Sequence, residues 1–258
     1  MLHVGTSGWQ YRDWRGVLYP DGLPVRRWLE HYVGAFATVE VNNTFYRLPP
    51  TETFATWFRS LPPDFVMALK VSRYLTHLKR LAEPAEPVAR FLERSAPLGP
   101  RLGPVLLQLP PNLAADRPRL ADTLDRFPST CRVAVEVRHP SWFDDRTAGL
   151  LAERNAALCL TDRGSRVTGP LWRTADWGYV RFHEGRARPR PCYGDTALGH
   201  WAERLAERWP EGEDVFAYFN NDPRGCAVRD AVRFAHLARR AGLQPSRVPR
   251  VLAGPVES

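Results

Sequence analysis

Eight short β-forming runs, each followed by a turn and then a helix-patterned stretch, constrain this chain more than any other feature. The runs lie at 2–4, 38–41, 65–71, 105–109, 132–137, 157–160, 178–182 and 215–219. Between them, apolar residues recur at three- and four-residue spacing over 25–36, 51–60, 86–95, 117–127, 145–155, 197–209 and 224–241, which predicts helices. The connection after the sixth run, 163–176, carries no helical pattern and reads as an irregular loop. Alternation of this kind predicts an α/β fold with a parallel sheet. Eight repeats in 258 residues match a single (β/α)8 TIM-type barrel, with an open doubly wound sheet as the alternative.

Side-chain parity favours the barrel. Alternate strand residues face helices or the interior, so one parity should be uniformly apolar. Val39 and Val41, Leu69 and Val71, Leu107 and Leu109, Val133, Val135 and Val137, Val180 and Phe182, and Val215, Ala217 and Phe219 meet that requirement. The remaining polar set comprises Glu40, Asn42, Lys70, Gln108, Glu136, Arg138, Asp162, Arg181, His183 and Asn220, all at or just past strand C-termini. Isolated charges in a low-dielectric interior must be paired or solvated, and strand C-termini of a barrel converge on the end where active sites are built. These residues are therefore expected to form one site. A barrel over 1–243 is followed by a tail, 244–258, rich in Pro, Arg and small residues. That tail is expected to be loosely held or to cover the bottom of the barrel.

Composition narrows the function classes. With 44% apolar and 25% charged residues, disordered, collagen-like and coiled-coil classes are excluded. No apolar run reaches the length of a membrane span and the N-terminus lacks a signal-peptide pattern, so no membrane association and a cytoplasmic location are expected. Cys131, Cys159, Cys192 and Cys226 contain no CxxC pair, and reduced thiols are expected. The net charge of +8 points only weakly to an acidic partner. Arginine supplies all but Lys70 and Lys79 of the 36 basic residues, a pattern that GC-rich coding also produces.

Individual motifs carry the chemistry. Gly5 to Trp9, with Tyr11 and Trp14, reads as a glycine-rich turn with aromatics after the first strand, either ligand-facing or a cover for the barrel. Glu40 and Glu136 are candidates for general acid and base or for countercharges to Lys70, Arg138 and Arg181. Lys70 is a lysine retained in an arginine-rich chain, suited to a base, a Schiff base or electrostatic positioning. His183 completes the proton-transfer set. The ligand-binding candidates are Trp9, Tyr46 and Trp142 for stacking, and Asn42, His77, Gln108, Arg138, Asp162, Arg181, Asn220 and Asn221 for polar contacts. Arg186, Arg188 and Arg190 after the seventh strand, and the helix start after Asn220, fit an anion site. No metal and no cofactor are expected, because the cations oppose a divalent ion and no HExxH-type motif is present.

Seven segments resemble the YecE-like family, catalogued as domain of unknown function 72. They are Gly5-Thr6-Ser7-Gly8-Trp9 through Pro20, Glu40 to Tyr46, Lys70 to His77, Leu106 to Pro111, Glu136 to Trp142, Tyr179 to His183, and Tyr218 to Asp222. The resemblance spans nearly the whole chain and implies a TIM-type barrel without supplying a function. The family pattern places glycine after the seventh-strand histidine; here Glu184 stands there and Gly185 follows.

The leading expectation is an enzyme binding a small anionic polyhydroxylated ligand, a sugar phosphate or nucleotide fragment, with hydrolase or isomerase chemistry. A nucleic-acid-binding or processing barrel and a non-catalytic binding or scaffold barrel are its rivals.

Overall fold

The computed structural model describes residues 1–210, 212–250 and 252. Eight strands close in chain order into a parallel barrel: β1 Leu2–Ser7, β2 Thr38–Val41, β3 Val66–Lys70, β4 Leu102–Gln108, β5 Val133–Glu136, β6 Ala157–Arg163, β7 Gly178–Glu184 and β8 Val215–Phe219. β8 returns to β1 in parallel register, from Leu2 opposite Val215 to Thr6 opposite Phe219. The helices are α1 Trp28–Ala35, α2 Asn43–Tyr46, α3 Thr51–Ser60, α4 Ala85–Ser95, α5 Arg117–Asp125, α6 Asp145–Ala152, α7 Asp195–Arg208 and α8 Cys226–Arg240. The β6–β7 connection contains no helix, as its composition predicts; Thr168 N–H returns to the Thr161 carbonyl at 2.9 Å instead.

Short elements not predicted by periodicity include α2 and a π-helical turn over Tyr74–Leu78. Each is shorter than the two turns needed for apolar spacing to register. Several helix starts have a visible local cause. Asp116 accepts the Arg119 N–H at 3.1 Å ahead of α5, and Asp144 accepts the Thr147 N–H at 2.9 Å ahead of α6.

The chain divides into two compact units. One comprises 1–40, 161–168 and the chain from 180 onward; the other comprises 41–160 and 169–179. In the first unit, strand parity is explicit. Thr6 Oγ1 meets the Tyr32 hydroxyl of α1 at 2.8 Å, whereas neighbouring Ser7 turns to the opposite face and donates to Glu40. Phe182 and Phe219 stack at 4.4 Å and pack on Phe234 of α8, while Tyr218, on the other face of β8, bonds Thr38 at 2.7 Å.

Gly5 to Ser7 belong to β1 rather than to a glycine-rich loop. A Cβ on Gly5 would stand 2.4 Å from the Thr38 carbonyl oxygen, so this glycine serves the approach of β1 to β2 and not a ligand. Only Gly8, at φ +98°, lies in the turn.

Of the segment expected as a loosely held tail, Gln244 accepts the Leu2 N–H at 2.8 Å, Ser246 N–H reaches the Leu2 carbonyl at 2.7 Å, and Arg247 accepts the Ala37 N–H. Residues 251 and 253–258 lie outside the described residues. One cysteine expectation is overturned: Cys192 and Cys226 form a disulfide, with Cα atoms 4.8 Å apart. Their 34-residue separation hides the proximity, because the residues follow adjacent strands β7 and β8. Cys131 and Cys159 are not disulfide-bonded. Among the described residues, no helix is long and apolar enough to cross a membrane.

Candidate functional site

In the unit containing β3 to β5, one polar chain links three consecutive strand ends. Lys70 Nζ donates to Gln108 Oε1 at 2.8 Å, and Gln108 Nε2 donates to Glu136 Oε2 at 2.9 Å. Arg138 grips the other carboxylate oxygen, Oε1, through Nε and Nη2, both at 2.8 Å. The register explains the middle link, since Gln108 lies directly opposite Glu136 across β4 and β5. Lys70 is only 8% exposed and its ammonium stands 4.0 Å above the Phe45 ring. A buried cation needs such partners to offset its lost hydration.

Helix α2 is fastened over this chain by Thr44, whose hydroxyl lies 3.0 Å from the Val41 carbonyl and 2.6 Å from that of Lys70. The fastening sets Phe45 against Lys70 and edge-on to the His77 ring at 4.9 Å. The His77 imidazole is held below its ordinary pKa, chiefly by burial and then by the charges of Lys70, Arg138 and Arg73, with Glu136 opposing. Just before α2, Asn42 has a buried Oδ1 without a hydrogen-bond partner. Tyr46 is 70% exposed.

The other unit holds a second constellation. Arg181 of β7 places Nη2 at 2.9 Å and Nε at 3.2 Å from Glu40 Oε1, and the same oxygen accepts the Ser7 hydroxyl at 2.7 Å. At the ends of β7 and β8, His183 Nδ1 and Asn220 Nδ2 are 3.2 Å apart. Beyond them, Asp222 is pushed up to about 7, above all by burial, with a hydrogen bond from Tyr11 working against the rise. Its Oδ1 is buried without a hydrogen-bond partner. The single Tyr11 O–H is shared with the Ser7 carbonyl, 2.7 Å away.

Four of the residues expected to contact a ligand make their contacts within the scaffold. Asp162 lies on the helix-facing side of β6, accepting from Trp201 Nε1 of α7 at 2.8 Å and from the Tyr193 hydroxyl at 2.9 Å. Asn221 is buried and donates to the Pro191 carbonyl at 3.0 Å and to Asp230 of α8 at 2.7 Å, so it ties the β8 end to its scaffold. Trp142 is fully buried, with its indole N–H on the Leu113 carbonyl at 2.8 Å, and Trp9 is also buried, its carbonyl accepting the Tyr19 hydroxyl. Of the three rings expected to stack on a ligand, Tyr46 alone is exposed.

Conversely, Ser7, Tyr11 and Asp222 stand in or beside the polar constellations although none is among the catalytic or ligand-binding residues named from the sequence. Parity offered the signal for Asp222. Asn220 and Asp222 continue the polar alternation of β8, whereas Asn221 continues the apolar one through Ala217 and Phe219. Arg186, Arg188 and Arg190 are exposed on a loop closed by Gly185 N–H to the Pro191 carbonyl at 2.8 Å and Ala187 N–H to the Cys192 carbonyl at 2.9 Å. Among the described residues, no three His, Cys, Asp or Glu side chains are grouped to hold a metal ion.

Comparison with known proteins places these features in context. A family model described as "Protein of unknown function DUF72" matches residues 3–252. The UPF0759 protein YecE of Escherichia coli K12 is 33% identical over 144 residues, which is 55% of this chain and 50% of that protein; the match spans half the length of this relative. A DUF72 family crystal structure from Thermotoga maritima is similar with a TM-score of 0.76 and 28% identity, covering 93% of this chain and 99% of that one. A second, from Enterococcus faecalis, has a TM-score of 0.78 at 20% identity with full coverage of both chains.

Proposed function

This chain belongs to the DUF72 family, and from that premise we propose that it is an enzyme acting on a small anionic polyhydroxylated ligand, a sugar phosphate or nucleotide fragment, bound at the ends of β3 to β5. The observation that carries this reading is the group of cations around a half-buried imidazole: burial first, and then the charges of Lys70, Arg138 and Arg73 against that of Glu136, make His77 resist protonation. Such surroundings favour an anion. Lys70 and Arg138 are the phosphate-facing cations, Asn42 Oδ1 an acceptor for a ligand hydroxyl, and His77 the group that exchanges a proton with it.

Glu136 has a revised role in this reading. Both of its oxygens are already engaged, by Gln108 and Arg138, so it positions the cations rather than abstracting a proton. Glu40 serves Arg181 and Ser7 in the same way. His183, paired with Asn220, remains a candidate for proton transfer within its own unit, in a reaction of hydrolase or isomerase type.

The test is an NMR titration of the His77 ring with inorganic phosphate and with ribose 5-phosphate. A bound anion should raise the His77 pKa, and binding should strengthen as pH falls through it. Lys70→Met and Arg138→Met should each abolish the shift. An imidazole whose titration ignores both ligands refutes the proposal.

A further inference from the structure

The connections after β2 and β3 leave large apolar side chains in water: Tyr46 at 70%, Leu78 at 62% and Tyr74 at 44% exposure. Scattered exposed apolar residues need no explanation. These are not scattered. Tyr46 stands edge-on to Phe45 at 5.1 Å, and Phe45 meets His77 of the π-helical turn at 4.9 Å, so the two connections are joined ring to ring. Tyr74 and Leu78 begin and end that turn, and Lys79 Nζ lies 5.8 Å from the Tyr74 ring centre. Exposed arginines neighbour both tyrosines along the chain, Arg47 directly after Tyr46 and Arg73 directly before Tyr74. The nearby acid Glu83 is ion-paired with Lys79.

We propose that this surface binds single-stranded nucleic acid, with exposed bases stacked on Tyr46 and Tyr74 and the backbone phosphates facing Arg47, Arg73 and the Lys70–Arg138 cluster. The inference rests on the anion reading of that cluster and names its ligand class. Solvent-facing rings on connections that also carry exposed cations fit a partner that presents both π-faces and regular negative charge. A duplex conceals its base faces and would engage the cations alone. An acidic peptide would satisfy the arginines and leave the tyrosines wet.

Fluorescence anisotropy with a labelled oligothymidylate of about 12 nucleotides tests this, at about 50 mM and about 200 mM salt. The full chain should bind at low salt and lose at least about tenfold in affinity at high salt. Tyr46→Ala and Tyr74→Ala should each weaken binding by about tenfold or more. Both positions are exposed, and circular dichroism verifies that the variants fold. Oligothymidylate that fails to bind at low salt, a duplex or polyaspartate that binds as tightly, or tyrosine variants with unchanged affinity would each overturn the inference. Inorganic phosphate on Tyr74→Ala separates the two readings. If it still shifts His77 while the oligonucleotide fails to bind the full chain, only the nucleic-acid inference falls; if it leaves His77 unmoved in the full chain as well, the anion site falls with it.

Discussion

Glu40 on β2 and Arg181 on β7 share one ion pair, Nη2 to Oε1 at 2.9 Å, and neither side chain is more than 1% exposed. A pair this deep is stabilising only while both partners remain, because each charge alone would face a low-dielectric interior. Glu40→Gln should therefore cost about 3–5 kcal/mol in urea denaturation. Combining it with Arg181→Met should recover much of the loss. A single variant as stable as the parent would show that the guanidinium has other sufficient partners.

Gln108 bridges an ammonium and a carboxylate, and replacing it should cost each of them a hydrogen bond. Gln108→Leu removes an acceptor from Lys70 and a donor from Glu136. The expected cost is about 1.5–3 kcal/mol for each hydrogen bond to a charged group that is lost. Thermal unfolding measures it, and Gln108→Glu, which keeps the acceptor but sets a second carboxylate against Glu136, should also destabilise.

Asp222 predicts a pH dependence of definite sign. Its folded pKa of about 7 lies above the ordinary 3.8, so the native state binds the proton more tightly than the unfolded chain. Its contribution is fully present below about 3.8 and is lost as pH rises through about 7. Asp222→Asn should remove that loss, making the variant more stable than the parent at pH 8 by up to a few kcal/mol, on the order of the linkage for such a shift. Parallel stability curves for parent and variant across this range would contradict the assignment.

Much of this architecture was legible from residue order. The bounds of β2 and β8 follow from 38–41 and 215–219, and the alternation in Glu40, Gln108, Glu136 and Arg181 reads directly as an inward face. Asp162 was misplaced because its charge overrode its parity. It shares the parity of buried Leu158 and Leu160, and its carboxylate meets Trp201 of α7. Trp142 and Trp9 look alike whether they cover a core or a ligand, since burial of a ring depends on what the fold brings over it. The carbonyl of Leu113, which takes the Trp142 indole N–H, is 29 residues away in sequence.

The disulfide carries its own prediction. Closing a loop across 34 residues of sequence restricts the unfolded chain, so Cys192→Ala or Cys226→Ala should lower stability by about 2–4 kcal/mol under oxidising conditions. Non-reducing peptide mapping should recover the two cysteines in one linked species. The cytoplasmic location expected from sequence would instead keep thiols reduced, and the map taken from freshly lysed cells decides between them.

The placement of a glutamine between Lys70 and Glu136 bears on how charge moves here. A carboxamide aligns its dipole with both neighbours but has no labile proton to hand on at ordinary pH. Gln108 is thus an electrical contact and a protonic insulator: the ammonium and the carboxylate sense each other's charge, while hydrogen ions exchanged with a ligand at one end have no route through this link to the other.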